Sequence, residues 1–311
     1  MTQLVLSTGN VMSGGPSIIR KPGTNRSNLE LVNSLRDSFA AAQQDYAGVV
    51  PSTNGAIVNG SGVPRATVDS WTERVGTSLF VPRIDWQGAG LRDDPDQYEI
   101  TVKLFLLQGA SVAQRESHIK TALELVRKEL GIETIDLLII AYPGVSFEGN
   151  CEWEADKINA QQGDIDVEIE TWRVLEELHR QGLVKRLGVS EFGSEKLRAF
   201  IDRTSIHPTV DQINLRNCCN VPPPLKKIAV ETGIELNVHT DCTDILPQGT
   251  LRELLGPHGI GLLADSNATK AGDGLAGEIT PQWVVRYLAF VRDRGVIENK
   301  GYFAGADLSD N

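Results

Sequence analysis

Cys218 and Cys219 stand side by side in the stretch DQINLRNCCNVPPP, residues 211–224. Adjacent cysteines rarely bridge each other, because the closed ring strains the peptide between them. Two roles stay open: buried apolar filling, which is common for free cysteine, and a thiol available for a bond to another chain. Cys151, in an acidic loop, is an equal candidate for a reactive thiol, since accessibility and thiolate character decide reactivity. The remaining cysteine is Cys242. No Cys-x-x-Cys spacing occurs, so a zinc ribbon is excluded and no metal site is expected.

Other polar side chains fall at the ends of apolar runs. Lys103 lies within ITVKLFLL, residues 100–107, where a lysine faces solvent at a strand end or joins an ion pair. Ser190 and Gln212 close two further strand-like runs, where strand-end polar groups need hydrogen-bond partners in any case. Residues 272–277 (GDGLAG) fit GxGxxG, but a polar loop precedes them and Pro281 follows. A dinucleotide loop needs a strand directly before it and a helix opening on it, so this motif is a loop.

The elements that must position these groups follow from periodicity. Leu4 and Leu6 alternate with polar neighbours and predict a strand, with Ile18 and Ile19 as its return. Asn28 can cap a helix to about Gln44, on which Leu29, Val32, Leu35 and Phe39 share a face. Residues 51–97 are rich in Asn-Gly and Gly-Ser turn signals and read as an irregular insertion with one or two short strands. Strands are expected at 100–107, 135–141, 184–189, 210–214 and 234–238. Helices begin at Ser111, near Ile165, at Ser194 and at Pro222. The runs at 100–107 and 135–141 are almost continuously apolar, as in parallel strands covered on both faces. Residues 283–291 are expected to be helical, with a short last strand at 295–297. Alternating strands and helices predict right-handed crossovers and a parallel sheet over a single domain spanning 1–311, which with about eight units can close into a (β/α)8-type barrel, an open doubly wound sheet being the alternative.

Size and charge bound the function. The chain has 311 residues, 41% of them hydrophobic and 23% charged, enough for a full core. Its net charge of -11 repels phosphate backbones and anionic lipid, so neither nucleic acid nor membrane is an expected partner. The longest apolar run, 137–142, is too short to span a bilayer. With four cysteines and no signal-peptide pattern, a cytoplasmic location is expected.

The segment TWRVLEELHRQGLVKRLGVSEF, residues 171–192, resembles the helix-strand-turn of aldo-keto reductases. The paired cysteines before prolines, the start LVLSTGN and the end WVVRYLAFVRDRGVIENKGY resemble a non-catalytic branch of those barrels, the modifier (regulatory) subunits of glutamate-cysteine ligase. The resemblance implies an aldo-keto reductase-type barrel, with early units incomplete or distorted.

It also implies what is missing. In the reductases a tyrosine gives a proton to the carbonyl, a lysine paired to an aspartate lowers that tyrosine's pKa, and a histidine orients the substrate. Lys103 matches the lysine. Ala141 stands where the histidine would be, and the tyrosine pattern is absent, Tyr46 being the nearest substitute. Lys103 is therefore expected to be vestigial, and no catalytic residue is assigned. Ser190 and Gln212 match nicotinamide-holding positions, His239 the stacking position, and Lys300 the one cation near the 2'-phosphate position. Glu191 replaces an asparagine and adds negative charge. No cofactor is expected beyond weak NADP binding. The implied partner is the ligase's catalytic subunit, with Cys218, Cys219 and Cys151 as redox or interface candidates. The implied role is to raise substrate affinity and relieve glutathione feedback. The alternative is an NADP-dependent reductase with altered catalytic residues.

Overall fold

The structure, a computed structural model, describes residues 2–13, 27–47, 67–108, 110–215, 220–265 and 274–309. Its regular core starts at β4 (Tyr98–Leu106) and proceeds through α3 (Val112–Leu130), β5 (Ile135–Ala141), α4 (Glu152–Asn159), α5 (Ile165–Arg180), β6 (Val184–Ser190), α6 (Ser194–Ile201), β7 (Val210–Asn214), α7 (Pro223–Thr232) and β8 (Glu235–His239). The strands β4-β5-β6-β7-β8 are parallel and neighbouring. This is the α/β succession expected of the barrel type.

Local chemistry sets the helix ends. Ser111 and Gln114 form a reciprocal capping box at the start of α3, satisfying two otherwise orphaned N–H groups. Gly131 ends that helix at φ 65, a left-handed position that glycine takes without a Cβ clash. Asp164 accepts from the backbone N–H groups of Asp166 and Val167 and starts α5.

The rest of the sheet joins β4 through an antiparallel neighbour. Two long strands, β9 (Glu278–Val291) and β10 (Val296–Ser309), form a hairpin, and β9 pairs along the whole of β4. β1 (Thr2–Ser7) pairs antiparallel with β10 and parallel with β3 (Ser78–Val81), which carries β2 (Glu73–Val75) at the edge. The result is one ten-stranded sheet, ordered β2-β3-β1-β10-β9-β4-β5-β6-β7-β8. The distortion expected in the early units is present and reaches the C-terminal end as well.

Residues 283–291 are therefore strand, not the helix expected from their sequence. The reason is an alternation of faces. Trp283, Val285, Tyr287, Ala289 and Val291 enter one core cluster, while Val284 enters another. A period of two with β-branched and aromatic residues is a strand signature. The acidic loop expected around Cys151 leads directly into α4. Residues 67–97 supply β2, β3 and the short α2 (Val68–Trp71), whereas 51–66 and the proposed return strand at Ile18 and Ile19 lie outside the described residues.

Two cores flank the sheet. Val102, Leu104, Leu138, Ile140, Trp172 and Phe200 belong to the first, under α3, α5, α6 and α7. Trp172 and Phe200 meet edge to face at 5.1 Å, a favoured geometry for ring quadrupoles. Leu31, Leu35 and Phe39 of α1 (Ser27–Ala47), with Trp71 and Leu251 of α8 (Thr250–Leu255), form the second. Successive side chains of a strand point to opposite faces. Hence Val102 and Leu104 enter the first core, and Phe105 the second. Lys103 is carried to the same side as Phe105, over whose ring its ammonium lies at 5.2 Å from the centroid.

Candidate functional site

Lys103 is 2% exposed, and its ammonium donates to Asp241 Oδ2 at 2.9 Å and to Gln212 Oε1 at 3.1 Å. Asp241, just past β8, is itself 6% exposed and is gripped by Arg286 of β9, whose Nη1 and Nη2 reach its two oxygens at 2.5 and 3.1 Å. Such a two-pronged guanidinium contact is the strong form of a carboxylate pair. Burial alone would raise the Asp241 carboxyl, but Lys103 and Arg286 outweigh it and hold it well below the ordinary range. The ammonium fares differently. Burial lowers the Lys103 pKa, Asp241 opposes this, and Arg286 adds to the lowering. Two cations share one carboxylate, and Arg286 holds both of its oxygens.

A second pair lies beside the first. His239, at the end of β8, contacts Glu191 Oε1 through Nε2, while its Nδ1 accepts from the Asp241 backbone N–H at 3.1 Å. This assigns the proton to Nε2 and leaves both ring nitrogens engaged. Glu191 also accepts from the N–H groups of Phe147 at 2.6 Å and Asn214 at 3.0 Å. Its backbone has φ 67, the sole positive value among the described non-glycine residues. Ser190 Oγ contacts the Gln212 carbonyl oxygen at 3.4 Å and His239 Nε2 at 3.3 Å.

Lys103, Ser190, Glu191, His239 and Asp241 line a cleft of about 620 Å³ at the C-terminal ends of the parallel strands. Phe105, Tyr142, Leu246 and Ile279 supply apolar wall, and Glu191, Asp244 and Glu278 carry carboxylates. Lys103 is the one lysine or arginine among the described lining residues. Ala141 sits in the wall and offers no side-chain proton. The one phenol among the described lining residues, Tyr142, donates instead to the Glu168 carbonyl oxygen at 3.0 Å, and burial, with Glu168 adding to it, raises its pKa well above the ordinary value.

The structure thus brings together Lys103, Ser190, Gln212 and His239, which sequence singled out, and adds Asp241 and Arg286, which it did not. Arg286 was hidden because its segment reads as helix. Asp241 sits in HTDCTD, two residues beyond a strand end, and that placement was the available signal. Lys300 lies apart: it pairs with Glu30 at 2.5 Å across β10 and α1. Tyr46 is on the last turn of α1, packed near the second core, with the Arg83 guanidinium 5.6 Å from its ring centre. Tyr302 is held by Glu30 at 2.6 Å, and burial raises its pKa, so it is not an acidified phenol. Cys151 is exposed and precedes α4, and Cys242 lines the cleft. Cys218 and Cys219 lie outside the described residues.

A strand-end cleft with a buried lysine–aspartate pair, on an α/β sheet, defines the class. Residues 85–254 match the aldo/keto reductase family, and the chain belongs to that family. Among its relatives, a "putative glutamate--cysteine ligase regulatory subunit" of Schizosaccharomyces pombe is 26% identical over 317 residues, covering 99% of this chain and 97% of that protein. The glutamate--cysteine ligase regulatory subunit of Homo sapiens is 26% identical over 214 residues, covering 69% and 68%. The resemblance to regulatory subunits of this ligase therefore holds. Among solved structures, a Bombyx mori aldo-keto reductase in complex with NADP superposes with a TM-score of 0.30 at 24% identity. That superposition covers 42% of this chain and 37% of the reductase. No described helix is long and apolar enough to cross a membrane.

Proposed function

We propose that this chain is a non-catalytic regulatory subunit of glutamate-cysteine ligase. It binds the catalytic chain, raises its apparent substrate affinity and eases feedback by glutathione. The observation that carries this reading is the end-to-end match to the S. pombe regulatory subunit. The cleft supports it. Proton transfer to a carbonyl needs a group with a releasable proton and a matched pKa. Tyr142 points its hydroxyl elsewhere and His239 has both nitrogens committed. Regulation then rests on binding one conformation of the catalytic chain better than another.

Among the described residues the candidate donors are poorly matched to a dinucleotide. Pyrophosphate needs free cations or N–H groups, whereas Lys103 is committed to Asp241, Lys300 to Glu30, and Gln212 Oε1 to Lys103. Glu191 places a carboxylate where a phosphate-bearing ligand would lie. The test is co-elution with the ligase catalytic chain on size exclusion, under reducing and oxidising conditions, followed by γ-glutamylcysteine formation with rising glutathione. Co-elution with a lowered KM is expected, and separate elution under both conditions overturns the reading. NADPH fluorescence and aldehyde turnover serve the alternative of a reductase, which turnover would establish.

A further inference from the structure

The helix α4 is built inside out. Its inward face carries Ala155, Asp156 and Asn159, which are 0%, 8% and 0% exposed. Its outward face carries its two largest apolar side chains, Trp153 and Ile158, at 56% and 42% exposure, with Glu154 and Lys157 between them. An ordinary surface helix buries its apolar stripe and shows its polar one. Here the polar face is the anchor. Asp156 accepts from the Ser194 N–H and hydroxyl at 2.5 Å each, and Asn159 accepts from the Gly193 N–H at 2.6 Å. Asn159 Nδ2 also donates to the carbonyls of Glu191 at 2.7 Å and Ser146 at 2.8 Å. These bonds fix the helix rigidly and leave Trp153 and Ile158 standing in solvent. A fixed, exposed tryptophan is the residue type that dominates binding energy at interfaces, and holding it in place beforehand lowers the cost of association.

We propose that the outward face of α4 is the docking surface for the ligase catalytic chain, whose complementary patch is an apolar pocket rimmed by basic residues. This rests on the regulatory reading above and adds to it where the partner sits. Charge argues for the occupant. Glu148, Glu152 and Glu154 lie on or just before the helix against the single cation Lys157, on a chain of net charge -11. Glu152 has no ion-pair partner among the described residues, so its charge is available to a partner. A second copy of this acidic chain would meet the same carboxylates and be repelled, whereas a basic rim would be attracted and steered.

The experiment measures binding of the full chain to the catalytic chain, by biolayer interferometry and size exclusion. The variants are Trp153→Ser with Ile158→Ser, Glu152→Lys with Glu154→Lys, and Val230→Ser as an exposed apolar control. All three change outward side chains, and circular dichroism checks their folding. The double serine variant is expected to weaken Kd by roughly 30-fold or more. The charge-reversal variant is expected to lower the association rate and flatten its salt dependence. Val230→Ser is expected to stay within about twofold, as surface changes away from an interface do. Wild-type binding with the serine variant unaffected sinks the α4 surface and leaves the regulatory reading intact. No binding by wild type removes both. A wild-type homodimer that the serine variant dissolves, with ligase binding preserved, assigns the face to a second copy and overturns the proposal.

Discussion

The Lys103 ammonium sits 2.9 Å from Asp241, and neither side chain meets solvent to a useful extent, at 2% and 6% exposure. Because Arg286 grips the same carboxylate, the two partners are not equivalent. Removing Asp241 strands two buried cations, while removing Lys103 leaves an intact Arg286–Asp241 pair. Asp241→Asn is expected to cost about 3–5 kcal/mol, the range for breaking a buried pair by one partner. Lys103→Met is expected to cost only about 1–2 kcal/mol, chiefly for the unmet Gln212 oxygen. The Asp241 pKa is depressed in the folded chain, so its stabilisation is complete above the unfolded value, about 3.9, and is lost as pH falls below it. Urea unfolding of the two variants, at neutral pH and near pH 3, measures both points. Equal costs for the two substitutions would show that the carboxylate is not shared.

Asp211 poses the opposite case. It is 0% exposed, its Oδ1 accepts weakly from the Phe192 N–H at 3.4 Å, and its Oδ2 has no hydrogen-bond partner. Burial pushes its pKa well above the ordinary range. Between the unfolded and folded values the native chain holds a proton that the unfolded chain releases, so stability falls as pH rises, by about 1.4 kcal/mol per pH unit. Asp211→Asn removes that slope while keeping the shape. The variant is expected to gain on wild type as pH rises above the unfolded carboxylate value, about 3.9, read by urea midpoints at each pH. Parallel curves would refute a neutral Asp211.

Much of this was legible from sequence, and the failures have physical causes. Strands β4 and β5 announce themselves as near-continuous apolar runs, and α3, α5 and α7 stop on Gly131, Gly182 and Gly233. Lys103, Ser190, Gln212 and His239 could be singled out through the motifs that resemble the reductases. The hairpin of β9 and β10 was missed because WVVRYLAFV is apolar enough to satisfy either period, and a long antiparallel return breaks the strand–helix rhythm. Arg286 vanished with it. α4 was missed because its inward face is polar, so no apolar stripe marks it as a helix.

Glu191 combines a left-handed backbone with a carboxylate at the cleft. Asparagine is the residue that tolerates this conformation best after glycine. Glu191→Asn therefore relieves backbone strain and removes a negative charge from the cleft, but it gives up the contacts with His239 and the Phe147 and Asn214 N–H groups. NADPH affinity is expected to rise above wild type, measured by fluorescence titration at low salt. An unchanged titration would mean that this carboxylate is not what opposes the dinucleotide.

Gly305 and Trp283 face each other across β10 and β9. A Cβ built on Gly305 would fall inside the indole ring, and Gly301 meets Tyr287 in the same way four pairs along the register. Each ring covers the bare backbone of the glycine opposite, so the absent side chain is what lets the long hairpin close over the first core. Trp283 is 3% exposed and cannot swing into solvent without leaving a void. Gly305→Ala is expected to cost about 1–3 kcal/mol through overpacking, and Trp283→Leu a similar loss through an unfilled space. Because the two changes act on one volume, the double variant is expected to be more stable than the sum of the singles allows. A double-mutant cycle by thermal unfolding measures this coupling. Strict additivity would show that the glycine and the ring do not share that space, and that the hairpin's closure has another cause.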